Sequence, residues 1–140
     1  MFEQQGVGHI VASFGAELEA IPYTVFMAKE STLKEDEFIL KFTKALYKAQ
    51  QWVYEASVEE VAKSIAPYFE ETDEKLIATV VERYRSQSSY AKDAVIEKQE
   101  LQNLYDIMLE ANVIKESDIA SEHLQYENLI DTNFAKQAME

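Results

Sequence analysis

A change of hydrophobic rhythm near residue 30 constrains this chain more than any other feature. Before it, apolar residues come in short runs punctuated by glycine and proline; after it, they recur at helical spacing. All three glycines (Gly6, Gly8, Gly15) and the first of two prolines, Pro22, lie in the opening stretch. They frame His9–Phe14 and Tyr23–Ala28, two runs rich in Val, Ile, Phe and Tyr that read as short β-strands. Gly15–Ile21 between them is polar and reads as a connection. Two strands do not make an independently stable sheet, so these must pair elsewhere, pack on helices or find partners in another chain.

From Ser31 onward the pattern predicts four to five helices. Phe38, Phe42, Leu46, Ala49 and Val53 mark one long amphipathic helix over about Lys34 to Ala56. Ser57 and Glu60 make a capping-box pattern that opens a second helix carrying Val61, Ala62 and Ile65, which Pro67 stops. Thr72 with Asp73 and Glu74 opens a third, with Leu76, Ile77, Val80, Val81 and Tyr84. After a polar, turn-like Gln87–Ala94 comes a fourth, with Leu101, Leu104, Tyr105, Met108 and Leu109 on one face and Asn112 suited to its C-terminal cap. Lys115–Glu127 reads as irregular, and a last short helix near Asn133–Met139 starts from Asp131 or Thr132. The expected fold class is an α/β fragment, predominantly helical, with two short N-terminal strands and four to five helices. Residues 1–140 are long enough for one domain with a core, and strands without partners suggest a piece of a larger fold.

Charge narrows the function. Thirteen Lys and Arg stand against 26 Asp and Glu, a formal net charge of −13, with the cations scattered along the sequence. A field of that sign repels phosphate backbones and anionic headgroups, so nucleic acid and membrane surfaces are poor partners. No run approaches the roughly 20 apolar residues that span a bilayer, and Met1–Gly8 lacks the plan of a signal peptide. As written, the chain is expected in the cytoplasm. It contains no cysteine, hence no disulfide, thiolate metal site or thiol nucleophile.

The residues able to carry chemistry do not converge in sequence. His9 and His123 are the two imidazoles, over a hundred residues apart and without a metal-ligand spacing. Ser13, in Ala12-Ser13-Phe14-Gly15, lacks the first glycine of a nucleophile elbow and suits a hydrogen bond to a ligand or a turn instead. The acidic groups Glu35-Asp36-Glu37, Glu59-Glu60 and Glu70 to Glu74 lie at expected helix starts or in loops, where negative charge complements the helix dipole. Phe38, Phe42 and Tyr84 read as core, whereas Tyr23, Trp52, Tyr54 and Tyr90 have no clear assignment. No catalytic residue, metal ligand or cofactor is expected, and the chain reads as a non-enzyme.

Several blocks carry a resemblance: Met1-Phe-Glu-Gln-Gln-Gly-Val-Gly-His-Ile-Val-Ala-Ser-Phe-Gly15, Ile21-Pro-Tyr-Thr-Val-Phe-Met-Ala-Lys-Glu-Ser31 and Lys41-Phe-Thr-Lys-Ala-Leu-Tyr-Lys-Ala-Gln-Gln-Trp-Val53. Ile65-Ala-Pro-Tyr-Phe69, Val80-Val-Glu-Arg-Tyr84 and Leu104-Tyr-Asp-Ile-Met108 continue it. Together they resemble solute-binding proteins of ABC importers, in the subgroup that handles nitrate, taurine, aliphatic sulfonates and thiamine-type pyrimidines. The resemblance implies part of a two-lobed periplasmic-binding-protein-like fold, with 1–28 as strand and hinge region and 29–140 as helical region. It implies a truncated solute-binding component whose ligand is a small organic or anionic solute and whose partner is an ABC permease. Full-length relatives are extracytoplasmic, secreted or lipid-anchored. Hinge-side positions of such proteins correspond here to Ser13, Phe14, Tyr23 and Thr24, the expected ligand contacts. The sequence departs from the family at Lys34-Glu-Asp-Glu37 and Ala94, where prolines are expected. It also lacks the cysteines of the family's pyrimidine-synthesising relatives, so that activity is not carried over. The alternative is a stand-alone helical module for self-association or protein interaction, a possible homo-oligomer.

Overall fold

The computed structural model describes residues 2, 3 and 5–140. Its regular elements are helices: α1 (Phe14–Glu17), α2 (Glu30–Leu33), α3 (Asp36–Glu55), α4 (Val58–Ile65), α5 (Glu74–Ser86), α6 (Lys98–Glu110), α7 (Glu116–Ile119), α8 (Tyr126–Leu129) and α9 (Asn133–Ala138), with 3-10 turns at Ala66–Tyr68 and Glu122–Leu124.

The helix ends follow local chemistry. Ser57 caps α4 through a reciprocal pair, its Oγ accepting from the Glu60 N–H at 3.2 Å while the Glu60 carboxylate accepts from the Ser57 N–H at 3.0 Å. Pro67 falls in the 3-10 turn that ends this helix. Asp73, one residue beyond the expected Thr72, caps α5 by accepting from the Lys75 N–H at 2.6 Å. Two helices end in the same way. After α6, Asn112 turns left-handed at φ 55°, with Val113 N–H donating to the Met108 carbonyl and Asn112 N–H to that of Leu109. After α5, Ser88 does so at φ 54°, with Ser89 N–H on the Tyr84 carbonyl and Ser88 N–H on that of Arg85. Both are Schellman motifs, built without the customary glycine. Lys115–Glu127, expected to be irregular, holds α7, a 3-10 turn and the start of α8.

The expectation of two N-terminal strands in a two-lobed α/β fold is corrected: among the described residues there is no strand. His9–Phe14 has no ladder, its Ile10 N–H donates to a Glu3 side-chain oxygen at 3.2 Å, and Phe14 already begins α1. Tyr23–Ala28 forms no ladder: Tyr23 N–H closes back on the Ile21 carbonyl and the chain bends at Thr24. β-propensity measures how well a side chain fits a pleated, half-buried surface. Val11 and Met27, 96 % and 91 % exposed, meet no such surface.

The chain divides into two units. One comprises the residues up to Leu18 with Ala49–Lys92; the other comprises Glu19–Lys48 with Asp93–Glu140. The first is centred on the α4–α5 pair, where Val61, Ala62, Ile77 and Val81 are buried and Ala56, Val58, Ile65, Ala66 and Ala78 pack around them. In the second, Leu101 and Tyr105 of α6 and Ala135 of α9 are buried. There the Tyr105 hydroxyl donates to the Leu124 carbonyl at 2.8 Å and the Tyr126 hydroxyl to that of Ile96 at 2.6 Å, tying the C-terminal segments to α6 and its approach.

Candidate functional site

In the first unit, polar side chains gather where the N-terminal segment meets the end of α5. Ser13 Oγ donates to Gln87 Oε1 at 3.1 Å. A Cβ on Gly15 would lie 3.0 Å from Ser89 Oγ and 3.6 Å from Gln87 Oε1, so the absence of a side chain at Gly15 permits this close approach. The left-handed Ser88 sets the path of the loop that carries Ser89. Glu3 fastens the same segment: its carboxylate meets Arg83 at 3.1 Å and accepts from Ile10 N–H. That backbone hydrogen bond, and then the one from Arg83, hold the Glu3 carboxyl below the usual carboxylate range. The cluster offers hydroxyl and amide groups, a chemistry for binding polar ligands. Phe14, beside Ser13, is 85 % exposed.

Next along this unit is an aromatic group. The Tyr54 hydroxyl donates to the Tyr90 carbonyl at 2.5 Å; the Tyr90 ring lies 6.5 Å from that of Tyr54, edge-on, and 5.3 Å from that of Tyr84. Burial raises the pKa of both Tyr54 and Tyr90. Gln51 Nε2 donates to the Lys92 carbonyl at 2.6 Å, and Arg85 Nη2 to that of Ala56 at 2.7 Å. Ala49, Gln50, Val53, Tyr90 and Ala91 line an open apolar hollow of about 170 Å³.

In the second unit, Tyr23 and Thr24 are exposed on the segment that leads to Phe26, whose ring stands edge-on to Phe42 of α3 at 5.0 Å. Glu35, Asp36, Glu37, Phe38 and Lys41 line an open surface depression of about 470 Å³ at the start of α3, spanned by a Glu37–Lys41 ion pair at 2.6 Å. Phe38, Phe42 and Tyr84, expected in the core, are 57 %, 40 % and 44 % exposed. His9 and His123 are both exposed, and no group of three potential metal ligands occurs among the described residues. No helix among the described residues is long and apolar enough to cross a membrane.

Of the four expected ligand contacts, Ser13 and Phe14 belong to the first unit and Tyr23 and Thr24 to the second. Each pair places a hydroxyl beside an aromatic ring. Gln87, Ser89 and the Tyr84–Tyr90 contact had no separate signal in sequence. They lie in or beside a turn-like polar stretch and become neighbours of Ser13 and Tyr54 only through the fold.

Against known proteins, the chain is 42 % identical over 138 residues, 98 % of its length, to the Bacillus subtilis (strain 168) protein named "Putative binding protein YtlA". It spans 40 % of the length of that relative. No family model and no solved structure matches it.

Proposed function

We propose that this chain is a solute-binding component of an ABC import system, binding a small organic or anionic solute rather than transforming it. The observation that carries this reading is the 42 % identity, over nearly the whole chain, to a protein named for binding; the blocks that resemble nitrate, taurine, sulfonate and pyrimidine binders supply the ligand class. The proposed contacts are Ser13 and Phe14, and Tyr23 and Thr24. In each pair a neutral hydroxyl serves a nitrate or sulfonate oxygen, and the adjacent ring covers an alkyl chain or a pyrimidine. Neutral donors suit an anion on a chain of charge −13, since they hold it by directed hydrogen bonds rather than by net attraction. Such a component delivers its solute to an ABC permease from the outer side of the membrane.

Calorimetric titration with taurine, alkylsulfonates, nitrate and pyrimidines tests this reading. One class is expected to bind, and Ser13→Ala and Tyr23→Ala are each expected to weaken it about tenfold, about 1.4 kcal/mol. Absence of heat with every class, or binding indifferent to both substitutions, counts against it.

A further inference from the structure

The Ser13 hydroxyl has one proton, and that proton goes to Gln87 Oε1 at 3.1 Å, between two partly buried side chains. Toward any third group Ser13 then turns lone pairs, whereas a nitrate or sulfonate oxygen needs a donor. Donors lie on the far side of the same hydrogen bond. A carboxamide is planar, so Oε1 facing Ser13 directs the two N–H bonds of Gln87 Nε2 elsewhere, and they meet no acceptor among the described residues. Ser89, exposed at the rim, carries another hydroxyl. A Cβ on Gly15 would lie 3.0 Å from Ser89 Oγ, 3.6 Å from Gln87 Oε1 and 3.8 Å from Ser13 Oγ, so three polar side chains converge over one bare stretch of backbone. All four residues belong to the first unit. Their backbone is held: Gln87 N–H donates to the Arg83 carbonyl at the end of α5, and the Ser13 carbonyl accepts from Ala16 and Glu17 N–H. Arg83 and Arg85 in the last turn of α5 set positive charge against the negative end of that helix, which would otherwise repel an anion.

We propose that Gln87 is a specificity-determining residue of the solute site. Its Nε2, with the Ser89 hydroxyl beside it, donates to the oxygens of a nitrate or sulfonate, and Ser13 holds the carboxamide in the orientation that makes this possible. Outward N–H and O–H groups suit an oxyanion, whose oxygens only accept. The assignment rests on Ser13 belonging to a solute site, as proposed above, and names the oxyanion as the group that this end of the site takes.

The probes are nitrate and methanesulfonate, the bare head groups, titrated into the full isotope-labelled chain. NMR follows the Gln87 side-chain amide and the Ser89 backbone amide. Both anions are expected to shift the Gln87 Nε2 signals. Gln87→Glu keeps the shape and an acceptor for Ser13 but has no N–H, and is expected to weaken binding at least about tenfold at unchanged helix content. Gln87→Met, uncharged and of similar size, is expected to weaken it comparably, which separates the lost donor from the added charge. Adding Ser13→Ala to Gln87→Met is expected to cost nothing further, because the serine acts through the amide. Binding that leaves the Gln87 amide unmoved, or that survives both Gln87 substitutions, overturns the proposal and leaves solute binding by this chain intact. Failure of both anions to bind overturns it too; a pyrimidine that binds nonetheless preserves the wider reading, and absence of binding by every class overturns both.

Discussion

Ser88 is where a single side chain most clearly conflicts with its backbone. Its φ of 54° lies in the left-handed region, where a Cβ costs about 1 kcal/mol and glycine is at ease. Ser88→Gly is therefore expected to raise stability by about 0.5 kcal/mol, after allowance for the freer unfolded chain; chemical denaturation measures it, and a loss would show that the serine side chain matters more than the strain. Ser57 works in the other direction. Ser57→Ala removes the cap of α4 and is expected to cost about 1 kcal/mol. Hydrogen bonds from the Ser57 hydroxyl and then from its backbone N–H lower the pKa of Glu60. A lowered carboxyl pKa contributes stability above the unfolded value and loses it as pH falls through the folded one. Acid titration of the wild type should show that loss, and Ser57→Ala should reduce it. Tyrosines govern the alkaline limb. Tyr54, Tyr90, Tyr105 and Tyr126 all have pKa values raised first by burial. Their folded forms hold the proton longer than the unfolded chain does, so stability falls as pH rises above about 10. Absorbance titration of the phenolates should show several of the eight tyrosines ionising late, together with unfolding.

At the scale of elements, stability is expected to concentrate in the α4–α5 pair, which contains Val61, Ala62, Ile77 and Val81, four of the seven buried residues identified among those described. Amides of α5 around Ile77–Val81 should exchange about tenfold or more slowly than those of α3, a helix with no buried residue. Hydrogen exchange read by mass spectrometry checks this, and Val81→Ala should cost about 2 kcal/mol. Sequence made much of this level legible. The Ser57–Glu60 box, Asn112 after α6 and the short C-terminal helix are local signals whose chemistry is complete within a few residues. The N-terminal runs mislead because Tyr, Thr, Val and Phe in Tyr23–Ala28 satisfy β-propensity without providing a partner. The exposure of Phe38 and Phe42 was hidden as well. A periodic apolar face says that a helix has a side to cover, and is silent on what covers it. The meeting of Ser13 with Gln87 spans 74 residues, a distance at which no local pattern carries information.

For the whole molecule, the scarcity of buried side chains is the governing observation: seven residues are buried among those described. Charge-free Ile21–Ala28, with Tyr23, Phe26 and Met27 all over 70 % exposed, leaves further apolar surface to solvent. The heat capacity of unfolding for the chain alone is therefore expected below the roughly 1.7 kcal/mol/K usual for this length, as calorimetry would show. The proposed solute binding is tested most directly by thermal unfolding with and without millimolar taurine, alkylsulfonate, nitrate or pyrimidine. A cognate solute at about 100 times its dissociation constant stabilises the native state by roughly 2.7 kcal/mol, so one class should raise the midpoint by several degrees while the others leave it unmoved. A midpoint unchanged by every class would contradict solute binding by this chain.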